Sequence, residues 1–321
     1  MRSPKSTAAV FAAAAALVLA SSLGAAAATP RAAAAVGVCS STAVSGRTVS
    51  GALPQAEVQR QLSSLTAQHR AQYGIAVKGP LRGGAGASAT PGTGKSAVVR
   101  PLVNIHPAQG TAFKALSGAD GSCATQSVST QLTVRDAYTT IYTPTMYPPG
   151  GSCVELVTVY TNSVRSVSAW DWCRSVNFAA SVTINSSFLS TYTNGSGAYT
   201  GRVVRTSASS NTWSAGLYNY TTGRWDTLFT QSGTNQSGRT DGWDIEELYS
   251  TVASSGRAYS CDDMAGVTFE SSGISVRNNG TWSTATPSNA DTHYDAPNSA
   301  FYCPTRSYQM ISTYDHWKAA G

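Results

Sequence analysis

The chain has 321 residues, 41% of them hydrophobic and only 12% charged, with a formal net charge of +6. So low a charged fraction, with 15 Tyr and 7 Trp, excludes a disordered polyelectrolyte and fits a chain that buries a sizeable core. The charge is uneven: residues 36–150 carry nine Lys and Arg against three acids, and residues 151–321 carry ten against thirteen. The basic part has no interleaved aromatics, so no nucleic-acid partner is expected.

Residues 1–30 read as a secretory signal peptide: a basic Met1-Arg2-Ser3-Pro4-Lys5, an apolar run from Ala8 to Ala20, then small residues. The apolar run is too short to span a bilayer, so the expectation is a secreted, extracellular protein without membrane insertion. The Ala/Gly/Ser/Thr bias is of bacterial style. All six cysteines lie beyond the leader and their number is even, which in an exported chain predicts disulfides. The expected pairs are Cys39–Cys123, Cys153–Cys173 and Cys261–Cys303.

Residues 31–124 are expected to form a basic N-terminal segment or propeptide. Pro54 followed by Val58, Leu62 and Leu65, with Gly74 as the stop, predicts one helix over 54–73. Residues 79–96 are rich in Gly, Ala, Ser and Pro and read as a flexible linker. The linker contains Pro91-Gly92-Thr93-Gly94-Lys95-Ser96, but Ala89 stands where a phosphate-binding loop needs glycine. No cofactor and no metal site is read from the chain.

From residue 125 to 321 the texture is all-β. Alternating Val, Thr, Tyr and Ser segments are predicted as strands at 128–135, 137–143, 153–160, 164–172, 178–192, 199–207, 211–220, 224–230, 242–250, 265–270, 273–278 and 307–313. Turn signals such as Thr222-Gly223 and Asn279-Gly280 separate them. Many short strands at this spacing predict an antiparallel two-sheet β-sandwich of lectin-like type.

Acids concentrate in Asp241-Gly242-Trp243-Asp244-Ile245-Glu246-Glu247. On a strand, Asp244 and Glu246 share one face, while Trp243, Ile245 and Glu247 share the other. Paired carboxylates on one face can serve as general acid and base. Trp170, Trp172, Tyr218, Trp225 and Trp243, with Asp244 nearby, form a candidate platform for sugar rings, because flat aromatic rings stack on the apolar faces of sugars. This gives a leading expectation of a non-catalytic domain that binds polysaccharide or cell-wall material. A lectin-like glucanase is excluded because Gly242 occupies the nucleophile position. No G-x-S-x-G elbow accompanies His293 or His316, and His69 and His106 are expected to be solvated.

The order Ala169-Trp170-Asp171-Trp172, Tyr218-Asn219-Tyr220-Thr221-Thr222-Gly223, Trp243-Asp244-Ile245-Glu246-Glu247 and Val267-Thr268-Phe269 resembles the glutamic peptidases of the eqolisin type. The resemblance covers about residues 135–282. It implies an acid-acting endopeptidase on a lectin-like double sheet, with a polypeptide substrate, and it places Glu246 on the family's catalytic glutamate. The family's second catalytic group is a glutamine. Here that strand reads Cys153-Val154-Glu155-Leu156, so the resemblance puts Glu155 or Leu156 in its place.

Overall fold

The computed structural model describes residues 37–73, 103–137, 139–294 and 301–321. The expected signal peptide and linker lie outside the described residues. Among them, seventeen strands form two sheets, bearing out the all-β sandwich.

Sheet I runs in the order β1 (Val44–Thr48), β11 (Arg224–Ser232), β10 (Thr212–Asn219), β9 (Ala198–Ser207), β4 (Ala119–Ser127), β13 (Thr268–Asn278), β17 (His316–Ala320), β16 (Ser307–Ser312), with β14 (Thr281–Thr284) paired to β13. Sheet II runs β15 (Ala290–Tyr294), β3 (Ala108–Phe113), β12 (Gly242–Val252), β5 (Thr140–Tyr147), β6 (Val154–Tyr160), β7 (Arg165–Asp171), β8 (Asn177–Thr183), with β2 (Val103–Ile105) paired to β12. Side chains from both sheets, including Phe113, Leu156, Trp213, Leu217, Ile274 and Trp317, fill the interior between them.

A second apolar layer lies on the outer face of sheet II. Helix α1 (Gln55–Tyr73) packs on it at β8, and its buried Val58 and Leu62 belong to the same apolar cluster as Tyr142, Trp170, Phe178, Ile245 and Tyr249. Pro54 opens the helix, where a missing N–H leaves no bond unmade, and its carbonyl accepts from the Val58 N–H at 3.1 Å. Gln59 fastens the helix to the sheet edge, donating to the Phe178 carbonyl at 2.7 Å and accepting from Asn177 at 3.2 Å. Just before it, the Leu53 N–H donates to the Ser181 carbonyl at 2.8 Å. A helix over 54–73 is therefore present, and it is docked.

The three disulfides join the expected pairs: Cys39–Cys123, Cys153–Cys173 and Cys261–Cys303. The first ties the segment before α1 to β4. The same segment adds β1 in parallel to β11, and both Arg202 and the Trp225 indole donate to the Ser41 carbonyl.

The expected domain boundary at residue 125 falls inside β4, and β1, β2 and β3 all precede it. β3 and β4 are built from small residues of weak strand propensity, which hides them from pattern reading. The reason is steric: a Cβ on Gly110 in β3 would sit 2.5 Å from the Asp244 carbonyl oxygen of its neighbour. Residues 128–135 form turns rather than a strand, with the Ser129 hydroxyl accepting from the Gln131 and Leu132 N–H groups. The predicted strand 178–192 ends at Thr183. Asn185 then caps a short helix α2 (Ser186–Tyr192) by accepting from the Phe188 N–H at 2.9 Å. The segments 265–270 and 273–278 are one strand, β13, interrupted by a register shift between Ser272 and Ser275.

Candidate functional site

β12 sits near the middle of sheet II, between β3 and β5, and every residue in it is buried. Its alternation decides what each acid meets. Trp243, Ile245 and Tyr249 pack in the outer layer under α1, and Leu248 packs in the sandwich interior. Glu247 therefore faces outward, and Asp244 and Glu246 face inward, as strand periodicity predicts.

The inward acids serve the core. Glu246 forms an ion pair with Arg306, whose guanidinium lies 3.9 Å from the Phe301 ring centroid, and both partners are buried. Asp244 accepts from the Trp317 indole at 2.9 Å and from Gln126 at 2.8 Å, and Gln126 in turn accepts from the Tyr199 hydroxyl at 2.7 Å. Burial pushes the Asp244 carboxyl up to about 7 against these hydrogen bonds.

The outer face carries a different pair. Glu155 on β6 stands opposite Trp170 on β7 and is fully buried. Its Oε1 accepts from the Thr145 hydroxyl at 2.6 Å and the Trp243 indole at 3.1 Å, and its Oε2 from the Trp172 indole at 3.0 Å. Glu247 is equally buried. His106 Nε2 lies 2.6 Å from its Oε1, and the Tyr249 hydroxyl donates to the same oxygen at 3.0 Å. Tyr142 on β5, the strand between β12 and β6, stands directly opposite Glu247. Burial first, then the charges of Glu247 and Glu155, raise the Tyr142 phenol well above its ordinary value. The two glutamates thus lie on one face of sheet II with β5 between their strands, and α1 packs on the same face at β8.

The resemblance aligned Glu246 with the catalytic position, but the structure puts Glu246 on the opposite side of the sheet from Glu155. Glu155 shares the outer face with Glu247 instead, on β6, with β5 between their strands. Leu156, the other residue considered for the glutamine's place, points into the sandwich core. Gly242 cannot be read as a lost carboxylate: a Cβ there would lie 2.2 Å from the Tyr147 carbonyl oxygen.

The aromatic residues proposed to stack on sugars are placed as follows. Trp170 and Trp172 share a face, their ring centroids 5.6 Å apart, and both are buried in the outer layer with Trp243. Trp225 is buried beneath the N-terminal segment beside the Cys39–Cys123 disulfide, with Tyr218 packed edge-on against it at 5.3 Å. Asp244 lies inside the sandwich.

His106 is the residue that pattern reading missed. It was expected in solvent, yet it is buried at the corner between β2 and β3, stacked on Tyr249 with ring centroids 4.0 Å apart. Its neighbours Ile105 and Pro107 supply the one available signal, since an isolated histidine between apolar residues marks a buried position. His316 pairs with Glu270 at 2.7 Å on sheet I, and His293 falls on the edge strand β15.

The molecule is thus a two-sheet β-sandwich with a buried, hydrogen-bonded glutamate pair on the outer face of one sheet. Solved structures similar to it include Scytalido-glutamic peptidase with a peptide based transition state analog, at TM-score 0.40 and 17% identity, covering 67% of this chain and 98% of that one. SCP-B, a member of the eqolisin family of peptidases in complex with the tripeptide Ala-Ile-His, is similar at TM-score 0.39 and 16% identity, with the same coverage. No protein-family model and no curated protein matches the sequence.

Proposed function

We propose that the chain is an acid-acting, glutamic-peptidase-like hydrolase of polypeptides, with Glu155 and Glu247 as its paired carboxylates and α1 as a latency-conferring cover. The observation that carries this reading is the placement of two buried glutamates on one face of sheet II, Glu247 directly opposite Tyr142 on β5 and Glu155 on the next strand, a face on which the chain's own helix packs. A polypeptide already lies over that face, which favours a polypeptide substrate, as does the sequence resemblance. The signal-like leader and the three disulfides support an extracellular location.

We assign Glu247, which adjoins His106, as the base that takes a proton from the attacking water. Glu155 takes the complementary role of the acid that protonates the substrate carbonyl oxygen, with Thr145, Trp172 and Trp243 holding its carboxyl group in place. Collapse of the tetrahedral intermediate breaks the C–N bond as the proton held by Glu247 passes to the leaving amine and a hydroxyl proton of the intermediate returns to Glu155. A platform for polysaccharide has less support, because Trp170, Trp172, Trp225 and Trp243 are all buried.

The test is hydrolysis of denatured casein at pH 3–4 by the secreted protein, alongside Glu155→Gln and Glu247→Gln. Each variant is expected to lose at least about 100-fold in rate, the usual scale for a general acid or base. Wild-type rates in either variant would sink the assignment.

A further inference from the structure

The histidine beside the glutamate pair has no counterpart in a mechanism that needs only two carboxyl groups. His106 is held in place three ways. Pro107 follows it, and the Pro107 carbonyl accepts from the Leu248 N–H at 3.1 Å, pinning the β2–β3 corner to β12. Its ring stacks on Tyr249 at 4.0 Å with the planes 18° apart. Its Nε2 lies 2.6 Å from Glu247 Oε1. A ring so fixed meets the carboxylate with a single nitrogen, and burial keeps the contact unscreened by solvent.

We infer that His106 is a positioning residue for Glu247, fixing its carboxylate and, as an imidazolium, keeping it ionised in acid so that it can act as the base. The inference rests on the proposed hydrolase reading for its catalytic meaning, though not for the coupling itself. Among the described residues, the groups that face Glu247 are His106 from the β2–β3 corner, Tyr249 from β12, Tyr142 from β5 and, through its charge on both phenols, Glu155 from β6. From α1, the described side chains turned to this layer are the apolar Val58, Leu62 and Leu65. Histidine is the side-chain type whose charge changes between pH 5 and 8 in its ordinary state. An adjacent cation favours the charged form of a carboxylate, so its loss makes Glu247 take up a proton at higher pH.

Two readouts on the full chain test this. In carbon-13 spectra of carboxyl-labelled glutamate, the Glu247 resonance is identified by its absence in Glu247→Gln. Its midpoint is expected to rise by about one pH unit in His106→Gln, which keeps a hydrogen-bond donor but cannot become a cation. In the pH–rate profile on denatured casein, the acid limb of His106→Gln is expected to move upward by the same interval. The rate at pH 3.5 then falls about tenfold, and the rate at pH 5.5 stays within about threefold of wild type. Tyr249→Phe, which removes a neutral donor and keeps the ring that stacks on His106, is expected to move the acid limb by less than His106→Gln does.

An unmoved Glu247 midpoint, or an unmoved acid limb, overturns the inference. A shifted midpoint in a protein that hydrolyses nothing at any pH supports the coupling and removes the hydrolase reading instead. If His106→Gln does not fold, the wild-type chain decides. Glu247 and the His106 ring should then titrate as a coupled pair, each resonance sensing both steps, and independent single-step curves overturn the inference.

Discussion

At the scale of single residues, one position along β12 separates a core acid from the acid proposed as the base. Glu246 and Glu247 are equally buried, yet one pairs with Arg306 inside the sandwich and the other faces Tyr142 and His106 outside it. Removing the charge at Glu246 leaves the Arg306 guanidinium buried among Phe301 and Tyr308 without its carboxylate. Glu246→Gln is therefore expected to lower stability by about 3–5 kcal/mol, the usual cost of breaking a buried pair by removing one partner. Urea denaturation measures this loss, and the hydrolytic rate per folded molecule should be unchanged. A Glu246→Gln protein of full stability and no activity would reverse the assignments of Glu246 and Glu247. Strand periodicity alone placed Glu247 with Trp243 and Ile245. What it could not say is which face the other sheet covers, and a motif aligned one residue out exchanges the two faces entirely.

At the scale of elements, α1 holds the key position. Burying Val58 and Leu62 contributes about 1.5–3 kcal/mol each, and Gln59 adds two hydrogen bonds at the edge of β8. Leu62→Asp puts a charge into that apolar layer without altering the sheets, so the helix should undock while the sandwich persists. The expected results are faster tryptic cleavage after the exposed Arg60 and a higher rate of casein hydrolysis than the intact chain shows. Unchanged cleavage and rate would mean that α1 is not a cover. The helix was legible from Pro54, the spaced apolar residues and Gly74, but its docking site was not. The residues it touches are strand residues such as Tyr142 and Phe178, whose pattern announces a buried face without naming its occupant. The same limit explains β3 and β4, where glycine and small side chains meet the needs of close strand packing and leave no apolar alternation to read.

At the scale of the whole molecule, stability should favour acid. The carboxyl of Asp244 is pushed by burial to about 7 and that of Asp263 to about 6, each from an ordinary value near 3.8. For a carboxyl raised on folding, the unfolded chain gives up its proton first. The stability the group contributes is thus full below about 3.8 and is lost as pH rises through the folded value. Asp226, lowered in the folded state with hydrogen bonds from Ser45, Asn219 and Tyr192, works in the opposite sense and loses its contribution only as pH falls below the ordinary carboxylate range. Thermal melts are expected to show a midpoint that declines from pH 4.5 to pH 7.5, and Asp244→Asn should flatten that decline. A midpoint rising over the same interval would refute the assignment of Asp244 as a neutral core group. The sandwich, the helix and the presence of disulfides were readable in the sequence, because each rests on local pattern or cysteine parity, while parity does not choose among the possible pairings. The pairing of sheets that sets the glutamates under α1 rests on contacts between distant segments, which no local pattern encodes.

The Cys39–Cys123 bond gives the cover a particular thermodynamics. A cut anywhere between Tyr73 and Val103 frees the C-terminal end of α1, yet the helix remains covalently attached through β1 and the disulfide to β4. Its release is then a unimolecular equilibrium, set by the effective concentration that the short tether imposes. Dilution, which separates a cleaved inhibitor from its target, leaves such an equilibrium untouched. A thiol reductant converts it to a bimolecular one.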